Sequence, residues 1–277
     1  MMAPSLARWI LWWRRSPTWL PLLVFPLLVA AIVVALPEGG RGPLGPAGLD
    51  HLQRLAESRR YLHLDVMGTA AFALAGFLRA VERRYDLWGA FVLTLLPAVG
   101  GGVIRDLLIG GDRLPLRLLR DPLPLVVVLA VLLVGATLSR LISPRRLAAP
   151  IWSGLHMVFD SIGLASFAVI GTRVALLAQL SWWWLPLAAA LTCAGGGVLM
   201  DVVSGREPRS FQGEPYEELA ILGSLALILL WSLASRLEPL TWPVTAAMAC
   251  SWWLVFLTRL LVVRLGWRSW RLGLPPR

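Results

Sequence analysis

The sequence predicts an all-α integral membrane protein made of two inverted three-helix repeats plus a seventh helix, with an extra N-terminal transmembrane helix. Three observations carry this. Hydrophobic residues make up 57 % of the chain and charged residues only 15 %, with a mean hydropathy of +0.70, more apolar surface than a soluble core of this length can hide. The apolar runs are separated by Arg-bearing loops and match the roughly 20 residues that a helix needs to cross a hydrocarbon core of about 30 Å. Finally, Asp65 to Gly110 recurs ninety-five residues later as Asp160 to Gly205 without a gap, with fifteen of forty-six aligned positions identical.

The chain divides accordingly into residues 1–60, 61–150, 151–236 and 237–277. Residues 1–18 are basic and Trp-bearing, and the apolar run Trp19 to Leu36 follows. That run is long for the core of a signal peptide and is followed by Pro37-Glu38-Gly39-Gly40, which offers no small-x-small cleavage site, so it reads as an uncleaved span. Pro37 to Arg60 is a Gly/Pro-rich linker that turns polar and helix-like from Asp50 onward. Seven further spans are expected at Tyr61–Leu78, Leu87–Ile104, Pro122–Ser139, Ile151–Thr172, Trp182–Met200, Glu217–Ser235 and Thr241–Thr258. Each repeat then holds three spans. An odd number puts Asp65 and Asp160 into the membrane from opposite sides, which is inverted topology.

The net charge of +10 would suggest a nucleic-acid partner in a soluble protein. Here the arginines flank apolar spans, and their reading is orientation rather than nucleic-acid binding. With the N-terminus in the cytoplasm, sixteen of the twenty-six basic residues, all Arg, fall on the cytoplasmic side, so both termini are expected there, in an inner membrane. Trp152, Trp182 to Trp184 and Trp242 sit near span ends as interfacial anchors. Cys193 and Cys250 lie inside apolar spans as packing residues, and His51, His63 and His156 show no ligand spacing. No metal or cofactor site is expected.

Candidate functional residues come from the repeat itself. Gly100-Gly101-Gly102 and Gly195-Gly196-Gly197 occupy matching places in the two copies. Three successive glycines weaken a helix and bare its carbonyls, which in lipid is tolerable only beside protein or a watery cavity; interrupted helices at matching places of inverted repeats point to a permeation pathway. The alternative is close packing of two helices through small residues. Asp65, Asp160, Arg105, Asp106 and Asp201 lie in or at the edge of spans, where charge is costly and usually functional. For Asp65 and Asp160 the alternative is a helix-capping role, and for Asp106 and Asp201 a surface span end paired with Arg105 or Arg206.

The pattern Asp65-x-x-Gly68-x-x-x-Phe72-x-x-x-Gly76, then Gly100-Gly101-Gly102-x-x-Arg105-Asp106, together with its second copy, resembles the bacterial branch of the trimeric intracellular cation (TRIC) channel family, a branch also labelled as a glycine transporter domain. The resemblance covers about residues 61 to 260. It implies a homotrimer with one pore per subunit, surrounded by lipid, in which the triplets kink two helices around the pore. Met200 stands where Arg105 would have its counterpart, a departure from the pattern, and the N-terminal span is an addition. The resulting expectation is a monovalent cation channel, of the potassium type, with Gly100 to Gly102 and Gly195 to Gly197 shaping the constriction and the acids raising local cation concentration. A secondary transporter of glycine or another small zwitterion is the alternative. An enzyme is not expected, because no nucleophile and base, metal cluster or phosphate loop is recognisable.

Overall fold

The computed structural model describes residues 19–35, 44–57, 59–111, 114, 116–141, 150–234 and 241–269. They fold into α1 (Trp19–Ala35), α2 (Pro46–Glu57), α3 (Arg59–Glu82), α4 (Leu87–Ile109), the single turn α5 (Arg117–Arg120), α6 (Leu123–Leu141), α7 (Pro150–Leu177), α8 (Leu185–Val203), α9 (Glu217–Ala234) and α10 (Thr241–Leu265). One-turn 3-10 segments lie at Trp182–Trp184 and Arg209–Gln212. The described residues contain no strand. Six helices hold stretches long and apolar enough to cross a membrane, and α1 and α6 are apolar over the shorter stretches Val24–Val34 and Leu123–Ser139.

Every expected span is a helix, but six run past their expected ends. Among those ends, Leu78, Ile104 and Thr172 each stopped just before an arginine. The helices continue through Arg79, Arg105 and Arg173, which are at most 5 % exposed, because each guanidinium finds a buried partner: Asp201 for Arg79, Asp106 for Arg105 and the Tyr61 ring for Arg173. The polar end of the linker is α2, an amphipathic helix whose Leu49, Leu52 and Leu55 pack against a core containing Ile32 of α1, Trp231 of α9 and Val244 of α10, while Asp50 and Arg54 pair at 2.7 Å on its exposed face. The basic segment before residue 19 and the arginines at 145, 146, 271 and 277 lie outside the described residues, as do the side chains of Trp152 and Trp242. Trp183 and Trp184 are exposed, whereas Trp182 is half-buried and packs on the core that holds Ile32 and Trp231.

Helices α3, α4 and α6 form one repeat and α7, α8 and α9 the other. The most extensive pairing in the molecule is α4 against α8, followed by α3 against α4 and against α7. Helix α10 packs on α7 and α9, and α1 covers α9. The repeat motif is spent on this packing. A Cβ on Gly68 would lie 2.9 Å from the Phe167 ring, and one on Gly163 2.2 Å from the Phe72 ring; those two phenylalanines meet edge to face, ring centroids 5.1 Å apart. Each repeat's glycine therefore seats the other repeat's aromatic ring.

The triplets depart from expectation. Both α4 and α8 pass through them as continuous helix rather than breaking. A Cβ on Gly101 would lie 2.2 Å from the Thr192 carbonyl oxygen, and one on Gly196 2.4 Å from that of Leu96. The physical reason is close approach: the bare backbones of α4 and α8 cross in contact here, as small residues permit in membranes. Only the last glycine of each triplet is free of this crossing, with nothing within 4 Å of a Cβ at Gly197 and only an Arg105 nitrogen, at 3.7 Å, near one at Gly102.

Candidate functional site

Two cavities flank the crossing. One, of about 590 Å³ including space open to solvent, is lined by Arg79 near the end of α3, His156 and Asp160 in the first half of α7, Gly197, Val198, Met200 and Asp201 late in α8, and Glu214, Tyr216 and Arg259. The other, of about 510 Å³ on the same measure, is lined by Asp65 and Thr69 early in α3, Gly102, Arg105 and Asp106 late in α4, and Leu116 and Leu118 at the start of the turn α5. They therefore lie toward opposite ends of α3. Ten of the fourteen residues lining the smaller cavity have their partner, ninety-five positions away, lining the larger: Asp65 with Asp160, Gly102 with Gly197, Asp106 with Asp201, Phe167 with Phe72, and six more. Residues chosen from the sequence for their repeat spacing thus gather into two related vestibules separated by the glycine crossing and the Phe72–Phe167 pair.

Asp65 and Asp160 are not caps. Both lie well inside helices, Asp65 in Arg59–Glu82 and Asp160 in Pro150–Leu177. Asp160 receives the Tyr216 hydroxyl at 3.3 Å and the Arg259 Nη2 at 3.4 Å. The same Nη2 donates to Glu214 at 3.2 Å, and Arg259 Nη1 to the Pro215 carbonyl at 3.4 Å. Burial, and next the Asp160 carboxylate, push the Tyr216 phenol well above its ordinary value, so it stays a neutral donor.

At the other cavity, Arg105 closes onto its chain neighbour, donating to Asp106 from Nε at 2.9 Å and Nη2 at 2.7 Å, and to Thr192 at 3.4 Å. The counterpart of Arg105 is Met200, buried against Phe77 and Leu93, and the guanidinium for Asp201 comes instead from α3, Arg79 Nη1 standing 3.2 Å away. This corrects the expectation for Asp201: Arg206 is exposed and offers its backbone amide to the Asp201 carbonyl, and the ion pair is with Arg79. Neither Asp106 nor Asp201 is a surface span end, both being under 5 % exposed.

The profile of the family described as Glycine transporter matches residues 62–140 and 157–232, the two repeats. The chain belongs to that family, the bacterial branch of the TRIC family. Its curated relatives include the UPF0126 inner membrane protein YadS of Escherichia coli K12, 36 % identical over 162 residues that make up 58 % of this chain and 74 % of YadS. A UPF0126 membrane protein of Vibrio cholerae is 34 % identical over 231 residues, 82 % of this chain and 86 % of that protein. Among solved structures, a TRIC cation channel studied for its conductance superposes with a TM-score of 0.63 at 27 % identity, covering 77 % of this chain and 98 % of that one. The TRIC orthologue from Rhodobacter sphaeroides gives 0.64 at 26 % identity, covering 76 % of this chain and all of that one. The TRIC fold with its inverted repeats is thus present, and α1 and α2 precede the profile's first matched residue.

Sequence reasoning missed five members of the larger vestibule. Arg79 and Arg259 were counted as orienting charges, His156 was set aside for lack of ligand spacing, and Tyr216 and Glu214 were not singled out. A signal existed for two of them. Arg79 lies three residues beyond Gly76 on the motif's own helix, while His156 is one helical turn before Asp160 and the repeat counterpart of Tyr61, which carries Arg173 over its ring at 3.8 Å. Tyr216 and Glu214 come from a loop whose path only the fold reveals.

Proposed function

We propose that this protein is a monovalent cation channel of the inner membrane, conducting potassium through one pathway in each subunit of a homotrimer. The observation that carries the reading is the pair of repeat-related vestibules, each of which holds, among the described residues, one more carboxylate than guanidinium. Asp160, Asp201 and Glu214 face Arg79 and Arg259 in one, and Asp65 and Asp106 face Arg105 in the other. A cleft with an excess of one sign and low-dielectric walls concentrates the opposite ion. The path runs from one vestibule to the other past Thr192, Pro97 and the Phe72–Phe167 pair, where the glycine crossing sets how closely α4 and α8 approach. In this reading the glycine crossing is packed and must loosen to conduct. The arginine asymmetry supports a cytoplasmic position for both termini, and with them for the Asp160 vestibule.

The solved relatives described as cation channels support this reading, and the family's description as Glycine transporter supports a second. The Asp160 vestibule offers both signs of charge, which also suits the ammonium and carboxylate of a small zwitterion. Planar-bilayer recording of the purified protein under a potassium chloride gradient, with and without glycine, separates them. Discrete currents reversing near the potassium potential are expected. A silent bilayer together with saturable glycine uptake into liposomes overturns the channel and leaves the carrier.

A further inference from the structure

The sharpest peculiarity of the larger vestibule is that its Asp160 carboxylate is already occupied. Arg259 reaches in from α10, which belongs to neither repeat, and its side chain is 5 % exposed. Its Nη2 is divided between Asp160 at 3.4 Å and Glu214 at 3.2 Å, and its buried Nε has no hydrogen-bond partner. Charge-assisted bonds between a guanidinium and a carboxylate normally close to about 2.7–2.9 Å, as Arg105 does on Asp106 at 2.7 Å. Arg259 is therefore held by two acids and tightly by neither. The two acids differ in depth, since the Asp160 side chain is 18 % exposed and that of Glu214 50 %, so the guanidinium has a partner to lean on in either direction.

We infer that Arg259 is a tethered competitor for a monovalent-cation site formed by the Asp160 carboxylate and the Tyr216 hydroxyl. Entry of a cation from the vestibule displaces the guanidinium outward onto Glu214. The Tyr216 oxygen, which donates to Asp160 at 3.3 Å, retains lone pairs and supplies a second oxygen ligand beside the carboxylate, the donor type that alkali cations take. Two cations cannot share one carboxylate without repulsion. Arg259 therefore sets the ion concentration at which the site fills, and Glu214 sets how readily Arg259 yields.

The inference rests on the cation-permeation reading, and the test is arranged so that the two fail differently. Uptake of radioactive rubidium into liposomes holding the full chain is measured against rubidium concentration for the wild type, Arg259→Gln, Arg259→Lys and Glu214→Gln. Arg259→Gln is expected to lower the half-saturating concentration roughly tenfold, the effect of removing about one charge-assisted contact. Arg259→Lys should return most of it, and Glu214→Gln should raise it several-fold by leaving Asp160 as the guanidinium's only acid. A purely structural arginine would change the maximal rate and leave half-saturation in place. Saturable wild-type uptake with half-saturation unmoved in Arg259→Gln and Glu214→Gln overturns the competitor and spares the permeation reading; should Arg259→Gln fail to fold, Glu214→Gln decides alone. Absence of uptake by the wild type overturns both.

Discussion

The two vestibules share a backbone frame and differ in how they neutralise charge. At the Asp65 side, Arg105 and Asp106 are neighbours on one helix, 2.7 Å apart. At the Asp160 side, Asp201 depends on Arg79 from another helix and the other repeat, at 3.2 Å, and Asp160 on Arg259 from α10. The glycines between them are the same in both copies. The contrast follows from geometry. Where two backbones touch, a Cβ has no room and one residue type fits, whereas a guanidinium on a long side chain can reach a carboxylate from any adjacent helix. Packing therefore repeats to the residue while charge pairing is rewired, and only the Asp160 vestibule has its two repeats tied by this ion pair.

The largest effects are expected at the crossing, and they should be graded within each triplet. Gly101→Ala and Gly196→Ala drive a methyl group to 2.2 and 2.4 Å from backbone carbonyl oxygens, which cannot give way as a side chain can. Each should cost about 3 kcal/mol or more, the upper range for overpacking, read as a fall in thermal unfolding temperature and in monodisperse yield in detergent. Gly100→Ala and Gly195→Ala, whose nearest contacts are 3.1 and 3.0 Å, should cost clearly less. Equal costs at first and middle positions would break the crossing as the reason for the triplets.

Next comes the pair that separates the two vestibules. Arg79→Gln leaves Asp201 without this guanidinium at a site about 5 % exposed. Removing one partner of a buried pair typically costs about 3–5 kcal/mol, and the adjoining cavity should reduce this to about 2 kcal/mol. Arg105→Gln offers the comparison: it severs an ion pair within one helix and only a long contact, 3.4 Å to Thr192, across the repeats, so it should change stability less and disturb the association of the repeats less. Unfolding in a denaturant series, with both variants measured side by side, checks the difference; an equal loss would show that the cross-repeat tie carries no special weight.

Much of this was legible in the sequence, for identifiable reasons. The repeat offset placed Asp65, Asp106, Asp160 and Asp201 in pairs, and the structure gathers them into two cavities by the same offset. Span positions followed from length and hydropathy, because a bilayer allows few alternatives. What failed was inference from local composition. Three glycines in a row suggest a weakened helix, yet in α4 and α8 the partner backbone makes them a contact surface. Arg79 and Arg259, at span ends, were read as topological signals, yet both are 4 % exposed and sit in the Asp160 vestibule. That assignment depends on which helix lies opposite, and a single chain's pattern does not contain it.

The asymmetry itself can be tested by partly erasing it. Met200→Arg gives the second repeat the Arg–Asp sequence of the first and offers Asp201 a neighbour on its own helix. Met200 packs against Phe77 and Leu93, so some packing is lost, and the net change is expected to be about 1 kcal/mol. The informative quantity is coupling: in the Met200→Arg background Arg79→Gln should cost about 1 kcal/mol less than in the wild type, as residues sharing one partner are non-additive. Strict additivity would mean that the two guanidiniums do not compete for Asp201. The smallest effect is expected at the last glycine of each triplet. Nothing lies within 4 Å of a Cβ at Gly197, and at Gly102 only an Arg105 nitrogen does, so Gly102→Ala and Gly197→Ala should alter stability by no more than about 0.5 kcal/mol. Both side chains would point into the vestibules, however, so conductance should fall while the fold holds. Unchanged conductance in both would place the ion path away from these two walls, and a change in one alone would identify which vestibule limits the current.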